Sequence, residues 1–281
     1  MQAQSSKWTT AGKAIEEFGN KITDVSDKVD KLGNTLTTSL TVPIASLGTA
    51  AVITGNNFEA QMSRVQAIAG ATEEELAKLT EQAMQLGAET SFSATEVAAG
   101  MENLASAGFT TEEIMEAMPG LLDLAASSGA ELATASEIAA SAIRGFGLEA
   151  SEAGHIADVF AEASARTNAQ VEDMGNAMKY IAPVANTMGL KIEEVAAAIG
   201  IMSDAGIKGE QAGTTLRGAL TRLTKPTDKM IGVMNELGIS FYDNEGKMKS
   251  LTEMVKMLQD ATKDLSDEQE QNALTTLFGT E

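Results

Sequence analysis

The chain has 281 residues and a mass of 29.3 kDa, enough for one large or two ordinary domains around a sizeable core. Hydrophobic residues make up 43% but aromatics only 4%, so that core draws on Ala, Leu, Ile, Val and fifteen Met, a helix-packing vocabulary. A formal charge of −20 argues against affinity for nucleic acid or anionic membranes, the lack of Cys removes disulfide, thiol and Cys-based metal chemistry, and one histidine, His155, excludes every motif that needs two.

The charge is uneven. Residues 57–225 carry ten Lys and Arg against 24 Asp and Glu, a net −14, whereas residues 1–56 are neutral and 226–281 carry −6. The opening MQAQSSKWTT has no basic stretch followed by an apolar run, so no signal peptide is expected and a cytosolic or virion-interior location fits.

Residues 1–36 read as a coiled-coil arm. Trp8, Ala11, Ile15, Phe18, Ile22, Val25, Val29, Leu32 and Leu36 alternate spacings of three and four, the period of a left-handed supercoil. Ile15, Ile22 and Val29 at one seam position, with Phe18, Val25 and Leu32 at the other, are the candidate oligomerisation residues. Gly12, Gly19, Ser26 and Gly33 form a second stripe of small residues that lets a neighbouring helix come close.

Residues 37–56 belong to an uncharged apolar segment; no charge occurs between Leu32 and Phe58. Its length meets the rule for a membrane span, but Thr, Ser and Gly dilute it and Pro43 interrupts it, so a buried or interfacial helix after a Pro43 turn is expected.

Residues 57–225 read as an array of helical hairpins with a repeat of about 40 residues. One turn recurs at GATEEEL from Gly70, GFTTEEI from Gly108, GLEASEA from Gly147 and GLKIEEV from Gly189; a second is placed at Gly87, Gly129, Asn168 and Gly206. Gly ends one helix in the left-handed conformation, and the acids meet the positive end of the next dipole, with Thr72, Thr110 and Ser151 as N-caps. Between the turns, Val97, Met101, Leu104 and Ala105 share one helical face, as do Ile114, Met118, Leu121, Leu122 and Ala125, then Ile156, Val159, Phe160 and Ala163, then Met174, Met178 and Ile181.

Residues 226–281 read as a helix-hairpin-helix extension. Met230, Val233, Met234 and Leu237 make a helix, a small β-hairpin is expected near 238–250 around Asp243-Asn244-Glu245-Gly246, and Leu251, Met254, Val255 and Leu258 resume helical spacing. FGTE falls in what reads as a continuing helix, so a truncated chain is expected. The fold class expected is all-α.

No catalytic constellation emerges. His155 lies one helical turn from Glu152 and Asp158 without a nucleophile, which fits a surface histidine. Glu112–Glu113 and Glu193–Glu194 sit at helix starts, where capping accounts for them. There is no GxxxxGK or GxGxxG after a strand, and Asp243 to Gly246 lacks the ligand spacing of a calcium loop. Neither enzyme activity nor a cofactor is expected.

FEAQMSRVQAIAGATEEEL (58–76), GAETSFSATEVAAGMENLASAGFTTEEI (87–114) and MGNAMKYIAPVANTMGLKIEEVAAAIGIMSDAGIKGEQAGTTLRGALTRLTKP (174–226) together closely resemble the core of tail tape measure proteins of long-tailed bacteriophages and prophages. The resemblance covers most of residues 40–281. It implies a virion structural protein that lies in the tail tube, sets its length during assembly and leaves ahead of the DNA. It also implies as partners the tail tube protein, assembly chaperones, baseplate or tail-tip hub proteins and further copies of itself, commonly three. Binding to a specific nucleic acid is not expected. A second reading is a membrane-active module in which residues 32–58 make transient membrane contact to help the genome cross.

Overall fold

The computed structural model describes residues 51–279. The coiled-coil arm with Ile15, Phe18, Ile22, Val25, Val29 and Leu32 lies outside the described residues, as do residues 37–50 of the uncharged segment.

Twelve α-helices lie among the described residues: α1 (Ala51–Ala69), α2 (Glu73–Glu89), α3 (Ala94–Ser106), α4 (Thr111–Ser128), α5 (Leu132–Phe146), α6 (Ala153–Arg166), α7 (Val171–Thr187), α8 (Ile192–Asp204), α9 (Gly209–Thr224), α10 (Asp228–Leu237), α11 (Leu251–Thr262) and α12 (Asp267–Phe278), with a 3-10 turn (Ala150–Glu152) before α6. No strand occurs among the described residues, and the all-α expectation holds there. The fold divides into two compact units, one through Glu162 and one from Ala163.

Local chemistry sets the helix ends. In five reciprocal capping boxes, Thr72 with Glu75, Ser93 with Glu96, Thr110 with Glu113, Ser250 with Glu253 and Ser266 with Gln269, each side chain bonds the other residue's backbone N–H. At the far ends, residues 71, 109, 148, 190, 207 and 239 follow a glycine of positive φ, and each donates its N–H to the carbonyl five residues back. This double closure satisfies carbonyls that the helix leaves open. Ala71, Phe109, Leu190 and Ile239 of that set are buried, which pins the turn from below.

Four expectations need correction. Gly87 is inside α2, and the turn follows it, with Ser93 as cap. A methyl built on Gly87 would lie 2.8 Å from Ala94 Cα, so this glycine serves the close approach of two helices. Ser151 is no N-cap; it sits inside the 3-10 turn, where Glu149 is the cap and makes no side-chain bond. The β-hairpin reduces to one isolated bridge, Tyr242 with Met248. Its return strand has no room, because Ser250 already caps α11 and only three residues separate it from Gly246. Finally, the helix expected to run on through FGTE ends at Phe278, with Gly279 at φ 98°.

In the first unit α3 packs between α1 and α5, while α2 packs on α4, and α4 on the 3-10 turn. Helix starts recur at 73 and 111, then at 94 and 132. The core is small-residue and aliphatic as expected: Val97, Met101, Leu104, Ile114, Met118, Leu121, Ile156 and Phe160 are fully buried. Glycine permits the closest crossing, where a methyl on Gly120 would fall 2.7 Å from Gly154 Cα. Pro119 lies inside α4 and removes the donor that Met115 O would receive. Gln82 of α2 repairs this, its Nε2 donating to Met115 O at 2.8 Å.

In the second unit α7 and α9 form the most intimate pair, with α8 against both, α12 against α9 and α10, and α11 against α8. Met174, Met178 and Ile181 are fully buried, and Pro183 is accommodated within α7. Phe241 meets Phe278 edge-on at 6.2 Å between ring centroids, which ties the loop after α10 to α12. Arg222 donates to the carbonyls of Thr276 and Leu277, closing the α12 C-terminus.

Candidate functional site

The acidic residues noted in the sequence are occupied in different ways. Glu113 accepts from the Thr110 N–H at 2.8 Å and pairs with Arg144 at 3.2 Å; that backbone bond first, and then the guanidinium, hold its carboxyl below the ordinary range despite some desolvation. Glu194, by contrast, is pushed up by burial, partly offset by a backbone bond at Lys191. The two Glu-Glu pairs are therefore not equivalent, although they occupy matching turns.

His155 and Asp158 lie on α6. Burial raises the Asp158 carboxyl, with His155 opposing the shift; partial burial, then the charge of Asp158, raises Asp123 on α4. Among the described residues no acid or histidine cluster could hold a metal ion. Asp243 Oδ1 accepts from the N–H groups of Glu245 and Lys247, both at 2.8 Å, so its carboxylate is spent on the turn.

Neighbouring turns are braced to one another. Thr111 Oγ1 donates to Glu75 Oε1 at 3.0 Å, tying the Gly108 turn to the Gly70 turn. Arg144 donates to Gly108 O at 2.8 Å while its guanidinium lies 4.1 Å from the Phe109 ring centroid, a cation–π contact over the same turn. In the second unit the Asn168 N–H donates to Asp204 Oδ1 at 2.7 Å, and Lys208 donates to Asn168 O. Sequence reading missed Arg144; its only signal was a lone cation near the end of a helix in an acidic region.

Two grooves lie in the first unit. One, of about 470 Å³, has a mixed lining of Asn103, Ser106, Ala107, Glu137, Ala140, Ser141 and Arg144 between α3 and α5. The other, of about 580 Å³, runs along α2 between Glu73 and Glu81 over Leu76, Ala77, Thr80 and Met84. Met84 is 59% exposed, the most of any large apolar residue described. Among the described residues no helix is long and apolar enough to cross a membrane.

The described residues thus form short capped helices whose turns are braced to one another, with two grooves on the surface of the first unit. Comparison with known proteins gives them a context. The family described as phage-related minor tail protein matches residues 80–279. The chain belongs to this family. It is 58% identical over 260 residues to the tape measure protein of Pneumococcus phage Dp-1, an overlap of 92% of this chain and 23% of that protein. It is 33% identical over 248 residues to the probable tape measure protein of Escherichia phage P2, covering 85% of this chain and 30% of that protein. The chain thus spans less than a third of the length of either relative. No solved structure matches it. Within this minor tail protein family the tape measure resemblance read from residues 58–76, 87–114 and 174–226 is borne out.

Proposed function

We propose that this chain is the folded helical part of a tail tape measure protein, a structural component that takes part in tail tube assembly and length determination and leaves ahead of the DNA. The observation that carries this reading is the 58% identity over nearly the whole chain to a protein named tape measure protein. On this reading its partners are the tail tube protein, assembly chaperones and the baseplate or tail-tip hub. Its self-association, as a trimer through Ile15, Phe18, Ile22, Val25, Val29 and Leu32, brings several copies to one tail lumen, and assembly takes place in the host cytoplasm.

The recurring helix starts and braced turns support reading residues 57–225 as a repeat of helical hairpins that docks and does not measure. A continuous helix of 281 residues would reach about 420 Å. The described helices are instead 10 to 19 residues long, too short to persist alone, and each buries an Ala, Leu or Met face against its neighbours. Deleting residues 108–146 removes α4 and α5 whole. The expected outcome is aborted assembly or a destabilised domain. Viable tails shorter by about 1.5 Å per deleted residue would overturn the docking role.

A further inference from the structure

The groove between α3 and α5 in the first unit has a counterpart in the second unit that is filled. Ala94 of α3 and Val171 of α7 stand 77 residues apart, and so do Leu132 of α5 and Gly209 of α9, each the first residue of its helix. At that offset the two helix pairs match position for position. Val97, Met101 and Leu104 correspond to Met174, Met178 and Ile181, all buried. Gly100 faces Ser136, where a Cβ would lie 3.0 Å from Ser136 Oγ; at the corresponding positions Ala177 faces Gly213, with the glycine on the other helix. Asn103 Nδ2 donates to Ala133 O at 3.0 Å. In the second pair the Tyr180 hydroxyl, at the place of Asn103, donates to Glu210, at the place of Ala133.

Two residues that line the groove, Asn103 and Ala140, have Tyr180 and Arg217 as their counterparts. In the second unit these two meet, with the Arg217 guanidinium 5.8 Å from the Tyr180 ring centroid. A ring and a cation therefore occupy the place that the first unit leaves open. Charge differs in the complementary sense. Glu137 lines the groove one helical turn from Ala140, and its counterpart is the neutral Thr214. Relative to the second pair, the first has lost a cation and gained an acid at the same spot. Arg144, also in the lining, pairs with Glu113 and lies over Phe109.

We propose that the α3/α5 groove is a docking site for a segment of another protein that supplies, from outside, an aromatic ring set beside an arginine. The ring takes the place that Tyr180 fills in the second pair, and the guanidinium that of Arg217, over Ala140 and one turn from Glu137. A second copy of this chain suits the site poorly, because at −20 it would bring acid to acid.

The full chain is titrated with the blocked dipeptide N-acetyl-tyrosyl-arginine amide and followed by NMR, with the tyrosyl-glutamate and alanyl-arginine counterparts as controls. The expected result is saturable movement of the Asn103 side-chain amide and Ser141 N–H signals at millimolar tyrosyl-arginine, weaker binding of the alanyl probe, and none of the glutamate probe. Glu137 is exposed, so Glu137→Gln should leave thermal unfolding unchanged while weakening the tyrosyl-arginine probe roughly two- to fivefold, as loss of one exposed ion pair does. Asn103→Tyr with Ala140→Arg should close the groove with the chain's own side chains and abolish binding; if that double variant does not fold, Glu137→Gln alone decides. Lack of saturable movement, equal binding of the three probes, or unchanged affinity in Glu137→Gln overturns the proposal. So does a sedimentation mass that rises with concentration in the wild type and not in the double variant, which would assign the groove to a second copy.

Discussion

Two glycines five residues apart on α9 should respond oppositely to the same methyl group. A Cβ on Gly213 would stand 2.8 Å from Ala177 Cα and 2.9 Å from Ala177 C, both backbone atoms of α7; one on Gly218 meets nothing within 4 Å. Backbone cannot swing aside as a side chain does, and Ala177 O lies nearer still, so reaching an ordinary contact of 3.4 Å means moving α7 and α9 apart by more than about 0.6 Å along a well-packed face. Overpacking of this kind costs about 1–3 kcal/mol. Against it stands the gain from Gly to Ala within a helix, about 1 kcal/mol. Gly218→Ala should therefore stabilise by about 0.5–1 kcal/mol, while Gly213→Ala should destabilise by up to about 2 kcal/mol once its propensity gain is subtracted.

The assay is urea unfolding followed by helical circular dichroism, with the slope checked for constancy so that a shift in midpoint reports stability. The midpoints should move in opposite directions. The result that refutes the reasoning is Gly213→Ala at or above wild-type stability. In that case α7 and α9 do not approach as closely as the structure has them.

Removing the repair at Pro119 should show coupling: Gln82→Leu leaves Met115 O without its donor and should cost about 1–3 kcal/mol, but clearly less in a Pro119→Ala background, where a helical N–H returns; equal costs in both backgrounds would dismiss the link. Glu96, Glu113 and Glu253 are held low chiefly by backbone N–H bonds at their caps, so their contribution is full above the unfolded value, near 4.5, and is lost as pH falls through their lower folded values. Glu194 has the opposite sign: burial raises it, so Glu194→Gln should be more stable than wild type at pH 7, and the gap should close as pH falls and the wild-type carboxyl protonates. A gap that widens toward acid would reverse that assignment. The central region, at net −14, should not retain duplex DNA at ordinary salt in a mobility-shift assay; tight binding there would refute the charge argument.

The apolar faces were legible because helical period alone determines them: Val97, Met101, Leu104 and Ala105, and likewise Ile114, Met118, Leu121, Leu122 and Ala125, are buried as the spacing demanded. Turns with glycine were legible wherever positive φ is required, as at Gly108 and Gly189. Gly87 misled because glycine also marks close helix contact, and composition does not separate the two uses. Ser93-x-x-Glu96 carried the capping signal that would have located that turn. The hairpin near Asp243 failed on room, since Ser250 is both the end of the return strand and the cap of a helix. The roles of Arg144 and Gln82 were not legible, because their partners, Gly108 O and Met115 O, lie more than thirty residues away and backbone acceptors leave no mark on the sequence.

These long-range braces bear on what removal of residues 108–146 would do. The cut joins Ala107 to Gly147, so a glycine again follows α3, and the local closure of that turn survives in kind. The cross-braces do not survive. Glu75 loses Thr111, Gln82 loses Met115, and Ala150 takes the position of Thr111 without a hydroxyl to donate. Gly154 also loses Gly120, the residue whose missing side chain allowed close packing. Local turn chemistry thus makes the helices interchangeable, while the contacts between turns make each pair specific to its place. A ruler built from extended helix would tolerate such a cut in proportion to its length; an array braced in this way does not.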